Sequence, residues 1–207
     1  MGVSQLYLQM PLFEIISDIS ISDSKFDQVF SEKLRGSTSY HHWTPVEVCV
    51  KASAWLSEFS NSICDIGSGP GKFCLIGGAT TAAHYTGIEY RSSFVREATT
   101  IAQKYVLDDR VEFLCEDIVN ADFESFDGFY FYNPYLEHLY NKAITPEIEV
   151  SKQKVSAYNR FVRGIFENVD RPVSLVTYDN LFSVIPLDEF ELKRTAFDEK
   201  LCLYQNF

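Results

Sequence analysis

Apolar positions along the chain alternate between two patterns. Short, nearly continuous apolar runs occupy residues 63–66, 85–89, 111–115, 126–132 and 172–178. Runs of this length between turn residues read as strands buried on both faces. Between them, apolar residues recur at helical spacing. Val46, Cys49, Val50, Leu56 and Phe59 predict a helix to about residue 59, with those side chains inward. Val95, Ala98, Ile101 and Tyr105 predict a second, capped by Ser92 or Ser93, and Val155, Tyr158, Phe161, Val162 and Ile165 a third over about 151–168. Residues 73–83 read as a helix loosened by Gly77-Gly78, and two strand-like runs at 190–197 and 201–207 flank Asp198-Glu199-Lys200 as a hairpin. Strands alternating with helices predict an α/β fold, a doubly wound, mostly parallel sheet with an antiparallel C-terminal edge hairpin.

Two regions escape this alternation. Residues 1–45 mix apolar triplets with Ser/Asp clusters and are expected to form a small helical cap or lid segment, with short helices at 11–16 and 26–34 and a hinge at Gly36-Ser-Thr-Ser39. Residues 46–207 form the main domain. Within it, a long connection over 136–150 is a candidate lid or specificity loop. Thr44-Pro45-Val46-Glu47 has the composition of a capping box at the start of the first helix.

The first strand runs into Asp65-Ile-Gly-Ser-Gly-Pro-Gly71. Glycines there let the backbone turn tightly into a helix and let a ligand approach the helix-start amides. A phosphate loop of the Gly-x-x-x-x-Gly-Lys-Ser/Thr form fails, because Ile66 stands at its first glycine and Phe73 at its Ser/Thr. A dinucleotide loop of the Gly-x-Gly-x-x-Gly form meets Lys72 at its third glycine. The pattern present, Asp-x-Gly-x-Gly-x-Gly, resembles the first motif of the class I S-adenosylmethionine-dependent methyltransferases.

Two acids extend that resemblance: Glu89 at the end of the second strand and Asp117 after the third. The likeness covers roughly residues 60–135. It implies a seven-stranded sheet, an amino-terminal segment over the cofactor, and S-adenosyl-L-methionine as that cofactor. It also implies roles. Gly67, Gly69 and Gly71, with Ile66 and Ser68 between them, approach the methionine part, and Asp65 orients the loop and the methionine amino group. Glu89, beside Tyr90, accepts hydrogen bonds from the ribose hydroxyls. Asp117 contacts the adenine amino group and Ile118 flanks the ring. Asn133-Pro134-Tyr135, at the end of the fourth strand, is similar to the Asp/Asn-Pro-Pro-aromatic motif of amino-directed methyltransferases, with one proline missing. That likeness implies that Asn133 and Tyr135 position an acceptor. Thr44-Pro45 is similar to a pair that touches the methionine end in such enzymes, although capping alone would account for it. His138 is a candidate general base. His41 and His42 have no ligand-like spacing and read as solvated loop residues.

Net charge is −11, which argues against a nucleic-acid partner, since such surfaces are basic, and suits a small-molecule or protein acceptor. Five cysteines, scattered singly without a Cys-x-x-Cys pair, point to reduced thiols, with Cys64 and Cys115 in core strands, and a cytoplasmic protein. No run has membrane-spanning length, no secretory leader pattern opens the chain, and Leu6 occupies the Ser/Thr position a myristoylation motif needs. The expected activity is methyl transfer to an acceptor on a small molecule or protein, with nitrogen as a candidate atom. A non-catalytic S-adenosylmethionine-binding regulator and a nicotinamide-dependent oxidoreductase are the alternatives.

Overall fold

The computed structural model describes Leu12, residues 22–36 and residues 43–207 apart from 183 and 187. Most of the expected 11–16 helix, most of the 36–39 hinge, and His41 and His42 lie outside the described residues. Seven strands form one sheet: β1 (Ser62–Ile66), β2 (His84–Glu89), β3 (Val111–Cys115), β4 (Gly128–Phe131), β5 (Ser174–Tyr178), β6 (Glu191–Ala196) and β7 (Leu201–Gln205). Their order is β3-β2-β1-β4-β5-β7-β6. Neighbours among β1 to β5 run parallel, while β7 lies antiparallel to both β5 and β6. The doubly wound, mostly parallel sheet with an antiparallel terminal hairpin is therefore present. The second strand of that hairpin is inserted between β5 and β6, and β6 forms the edge.

Position in the sheet explains composition. The central strands β4 and β5 are almost wholly buried, whereas β6, Glu-Leu-Lys-Arg-Thr-Ala, keeps its charges at the exposed edge, where they oppose edge-to-edge association. Alternate residues supply two cores. Ile63, Tyr85, Tyr130 and Val176 face one side and pack with α1 (Val46–Ser57), α2 (Lys72–Thr80) and α3 (Ser92–Lys104). Ile66, Ile88, Phe129 and Leu175 face the other and pack with Val162 and Phe166 of α5 (Lys152–Glu167). Phe73 of α2 stacks on Tyr130 of β4 at 4.0 Å and 15°. Burying a ring of that size contributes about 1.5–3 kcal/mol.

Several local expectations are corrected. The capping box does not form. Pro45 is the N-cap of α1, the Val46 N–H donates to Asp23 Oδ1 at 2.9 Å, and the Thr44 hydroxyl pairs with the Tyr130 hydroxyl at 2.9 Å. Phe59 lies beyond the end of α1 and is 42% exposed. Gly77 and Gly78 do not loosen α2; a Cβ at either would strike Tyr85 or Val111, so their absence lets the helix lie close on β2 and β3. The 136–150 connection contains a short helix, α4 (Leu136–Tyr140). Cys49, Cys64 and Cys74 are buried, but Cys115 is exposed because β3 is an edge strand.

Strand order reverses beside β1: β2 lies on one side and β4 on the other. Ligands of open α/β sheets bind at the carboxyl ends of strands flanking such a reversal. Both the glycine turn and Asn133-Pro134-Tyr135 emerge there.

Candidate active site

The turn after β1 is held by conformation. Gly67, Gly69 and Gly71 have φ of +75°, +56° and +84°, values that side-chain-bearing residues rarely adopt. Gly71 is the N-cap of α2. Gly67 carries a second constraint: a Cβ there would lie 2.0 Å from Pro134 Cβ, so the glycine loop and the acceptor motif touch. At Gly69 none of the described residues stands within 4 Å of the same position.

Glu89 faces this loop from the end of β2. Gly69 N–H donates to Glu89 Oε2 at 3.0 Å, and Arg91 donates to Oε1 through its backbone N–H at 2.8 Å and Nη1 at 3.0 Å. Arg91, itself buried, also pairs with Glu137 of α4 and reaches Thr145 Oγ1 through Nε at 3.3 Å. Glu147 accepts from the Ser93 N–H and both serine hydroxyls at the start of α3. Arg91, not Ser92 or Ser93, is the N-cap residue of α3.

These contacts close a cavity of about 210 Å³ lined by Glu89, Tyr90, Asp117, Ile118, Tyr135 and Tyr158 among others. Asp117 Oδ2 accepts from the Tyr158 hydroxyl at 3.3 Å, and Ile118 is buried. A chamber of about 60 Å³ bounded by Trp43, Glu89, Arg91, Tyr132 and Asn133 shares Gly67 with that cavity. It shares Trp43, Gly69 and Tyr132 with a smaller one of about 40 Å³ that contains Thr44, Asp65, Ser68 and Lys72.

Asp65 is buried in the smallest chamber. Burial pushes its carboxyl up to about 8; the Cys74 thiol, donating to Oδ2 at 3.7 Å, acts the other way, and Glu89 adds to the rise. Among the described residues no cation lies against this buried carboxylate, and a ligand ammonium would complete such a site. Lys72 does not supply that cation, because its Nζ pairs with Asp23 at 2.6 Å and Asp27 at 2.7 Å. These residues fit S-adenosylmethionine: an open glycine cradle, an acceptor carboxylate at Glu89, an apolar wall at Ile118 and an unmatched acid at Asp65.

The acceptor motif is arranged differently from its sequence expectation. Asn133 adopts φ +43°. Its Nδ2 donates to the Asp179 carbonyl at 2.8 Å and its Oδ1 accepts from Leu181 N–H at 3.0 Å, so the amide is spent on the loop after β5. Tyr135 is buried among Phe131, Phe182 and Tyr158, and its hydroxyl donates to Asn159. His138 lines the 210 Å³ cavity rather than the Trp43 chamber, and its Nδ1 accepts from Ser151 N–H at 3.0 Å. Burial, then Lys154 and Arg91, lower its pKa against the pull of Asp117.

Arg91, Lys72 and Tyr158 are among the participants not singled out from the sequence. Arg91 had one available signal, a lone arginine two residues past the acid that ends β2. Lys72 figured only as a failed glycine position. Tyr158 was read only as a core position of its helix. Among the described residues, no group of three or more His, Cys, Asp or Glu is arranged to hold a metal.

Residues 63–149 match a protein family described as a methyltransferase domain. No curated protein matches the sequence significantly. Among solved structures, an RNA methyltransferase from Salinibacter ruber in complex with S-adenosyl-L-homocysteine is 23% identical, with 79% of this chain and 91% of that chain covered and a TM-score of 0.55. Magnesium protoporphyrin IX methyltransferase from Synechocystis with bound S-adenosylmethionine is 14% identical over 77% of each chain, at 0.52. A putative methyltransferase from Escherichia coli is 12% identical over 77% and 85%, at 0.55. At these identities the structural likeness is one of fold.

Proposed function

We propose that this chain is a class I S-adenosylmethionine-dependent methyltransferase, a reading the methyltransferase-domain match over residues 63–149 supports, and that it transfers the methyl group to a small-molecule or protein acceptor that enters between Trp43 and Tyr132. The single observation that carries it is the continuity of the site. Gly67 borders all three chambers, from Asp117 and Ile118 at one end to Asp65 at the other.

The bound cofactor supplies an activated methyl group on sulfur. The protein's part is to bind, align and exclude water, which in favourable cases accounts for about 7–11 kcal/mol of a barrier. Glu89 receives the ribose hydroxyls, Asp117 and Ile118 hold the base, and Asp65 receives the ammonium group. The dry walls of the reacting end are Trp43, Tyr132 and Pro134. Asn133 serves by positioning, since its amide fixes residues 179–181 beside the site. Nitrogen as the acceptor atom draws no support from the Asn133 side chain, both ends of which are occupied. Among the described residues, neither small chamber is lined by a histidine.

The acidic balance of −11 supports an acceptor other than nucleic acid. Five free thiols, one of them exposed, support the reducing cytoplasm as location. Among the described residues no helix is long and apolar enough to cross a membrane. Calorimetry is expected to show micromolar binding of S-adenosylhomocysteine, weakened at least tenfold by Glu89→Ala; a folded chain that binds neither this ligand nor S-adenosylmethionine would overturn the reading. Labelled cofactor incubated with cell extract, followed by mass identification of the labelled product, names the acceptor.

A further inference from the structure

Trp43 directly precedes the Thr44-Pro45 pair, in a stretch whose sequence suits part of the pocket roof. It is 8% exposed, and its indole Nε1 has no hydrogen-bond partner among the described residues. The ring is held by Phe30, centroids 4.7 Å apart in an edge arrangement, so the indole is fixed by the amino-terminal segment. A buried N–H without an acceptor is costly, and such groups are nearly always satisfied in a functional state.

Three features say what acceptor would satisfy it. Trp43 lines both small chambers, together with Gly67, Gly69 and Tyr132. Asp65 lines the 40 Å³ chamber as an acid with no cation against it among the described residues. Lys72 lies there too, but Asp23 and Asp27 already match its charge, so the free donors are neutral ones. Two more buried donors of these chambers lack a hydrogen bond: Arg91 Nη2, whose charge Glu137 matches, and Ser68 Oγ, which sits low against β2, where a Cβ on Gly87 would come within 2.6 Å of it. Among the buried donors of these chambers, the indole N–H is therefore the neutral one left to meet a ligand.

An acid awaiting an ammonium and a neutral donor awaiting an anion, in adjoining chambers, describe the two charges of an α-amino acid. We propose that Trp43 Nε1–H binds the carboxylate of the cofactor's amino-acid end, while Asp65 takes the ammonium. This rests on the reading given under Proposed function. It makes Trp43 a cofactor-binding residue supplied by the amino-terminal segment, and selective for ligands that keep the amino-acid tail.

Calorimetry on the full chain with two ligands tests it: S-adenosylhomocysteine, which carries the carboxylate, and 5′-methylthioadenosine, which lacks the amino-acid end. Trp43→Phe keeps a ring and removes the N–H. It is expected to weaken S-adenosylhomocysteine about tenfold, the scale of one hydrogen bond to a charged group, and to leave 5′-methylthioadenosine within about twofold. Equal loss for both ligands, or loss for neither, overturns the assignment. Should the variant fold poorly, the wild-type chain decides. In a nitrogen-edited proton spectrum, one of its two indole N–H resonances should move downfield with S-adenosylhomocysteine and stay in place with 5′-methylthioadenosine. An indole pair that does not distinguish the ligands overturns the proposal. A wild-type chain that binds neither ligand overturns the parent reading instead.

Discussion

Asp65 shows how one residue's surroundings set a pH dependence. Its carboxyl is pushed up to about 8, well above the ordinary 3.8, chiefly by burial. A carboxyl whose folded pKa is raised favours the folded state most when protonated. That contribution is complete below about pH 4 and is lost as pH rises through about 8. The ligand-free protein is thus expected to melt at falling temperature across this window, and Asp65→Asn to remove much of the slope. On the function proposed above, cofactor affinity should move oppositely between about pH 6 and 8, because only an ionised Asp65 would attract the ammonium. Scanning fluorimetry and calorimetry at stepped pH would check both trends. The same pH profile in Asp65→Asn as in wild type would refute them. Asp65 was legible as a motif position, but its protonation was not: the sequence does not disclose that Lys72, seven residues on, is already claimed by Asp23 and Asp27.

At the scale of elements, the 136–150 connection is fastened across the site to the start of α3. Arg91 joins Glu89 to Glu137, and Glu147 takes the Ser93 N–H and the two serine hydroxyls. Glu147 thus acts as the cap that the serines were expected to provide. Glu147→Ala is expected to cost about 1 kcal/mol, the usual worth of an N-terminal cap. It should also raise hydrogen exchange across residues 141–151 and weaken cofactor binding several-fold. Exchange unchanged in that segment would mean the clasp does not hold it. The strands were readable because parallel strands buried on both faces need continuous apolar runs, and β1, β2 and β5 fall within a residue or two of those runs. Caps were not readable, because their partners come from far along the chain. Asp23 reaches Val46, and Thr44 turns away to Tyr130. The partners of Asn133 were unreadable for the same reason: nothing local says that residues 179–181 will occupy its amide.

Across the whole molecule, one buried lysine ties the amino-terminal segment to α2, beside the Thr44–Tyr130 hydroxyl pair that ties it to β4. Lys72 opens α2 directly behind the glycine turn, and both of its partners come from residues 23–27. Asp23 spends the same oxygen on the Val46 N–H, so three separate stretches meet at one carboxylate. Burial raises the Asp27 pKa, and Lys72 is what opposes that rise. Removing one partner of a buried pair costs more than the pair contributes, because the other charge stays behind. Lys72→Met is therefore expected to lower stability by about 3 kcal/mol in denaturant unfolding. A second change, Asp27→Leu, should recover part of that loss by removing the stranded carboxyl. If the segment carries Trp43 into the site as a unit, Lys72→Met will also expose residues 22–36 to limited proteolysis and weaken S-adenosylhomocysteine. Asp27→Leu will then restore stability more fully than affinity, because it does not rebuild the tie from Asp23 to α2. Restoration of both in step would instead mean that the lysine matters only as a buried charge.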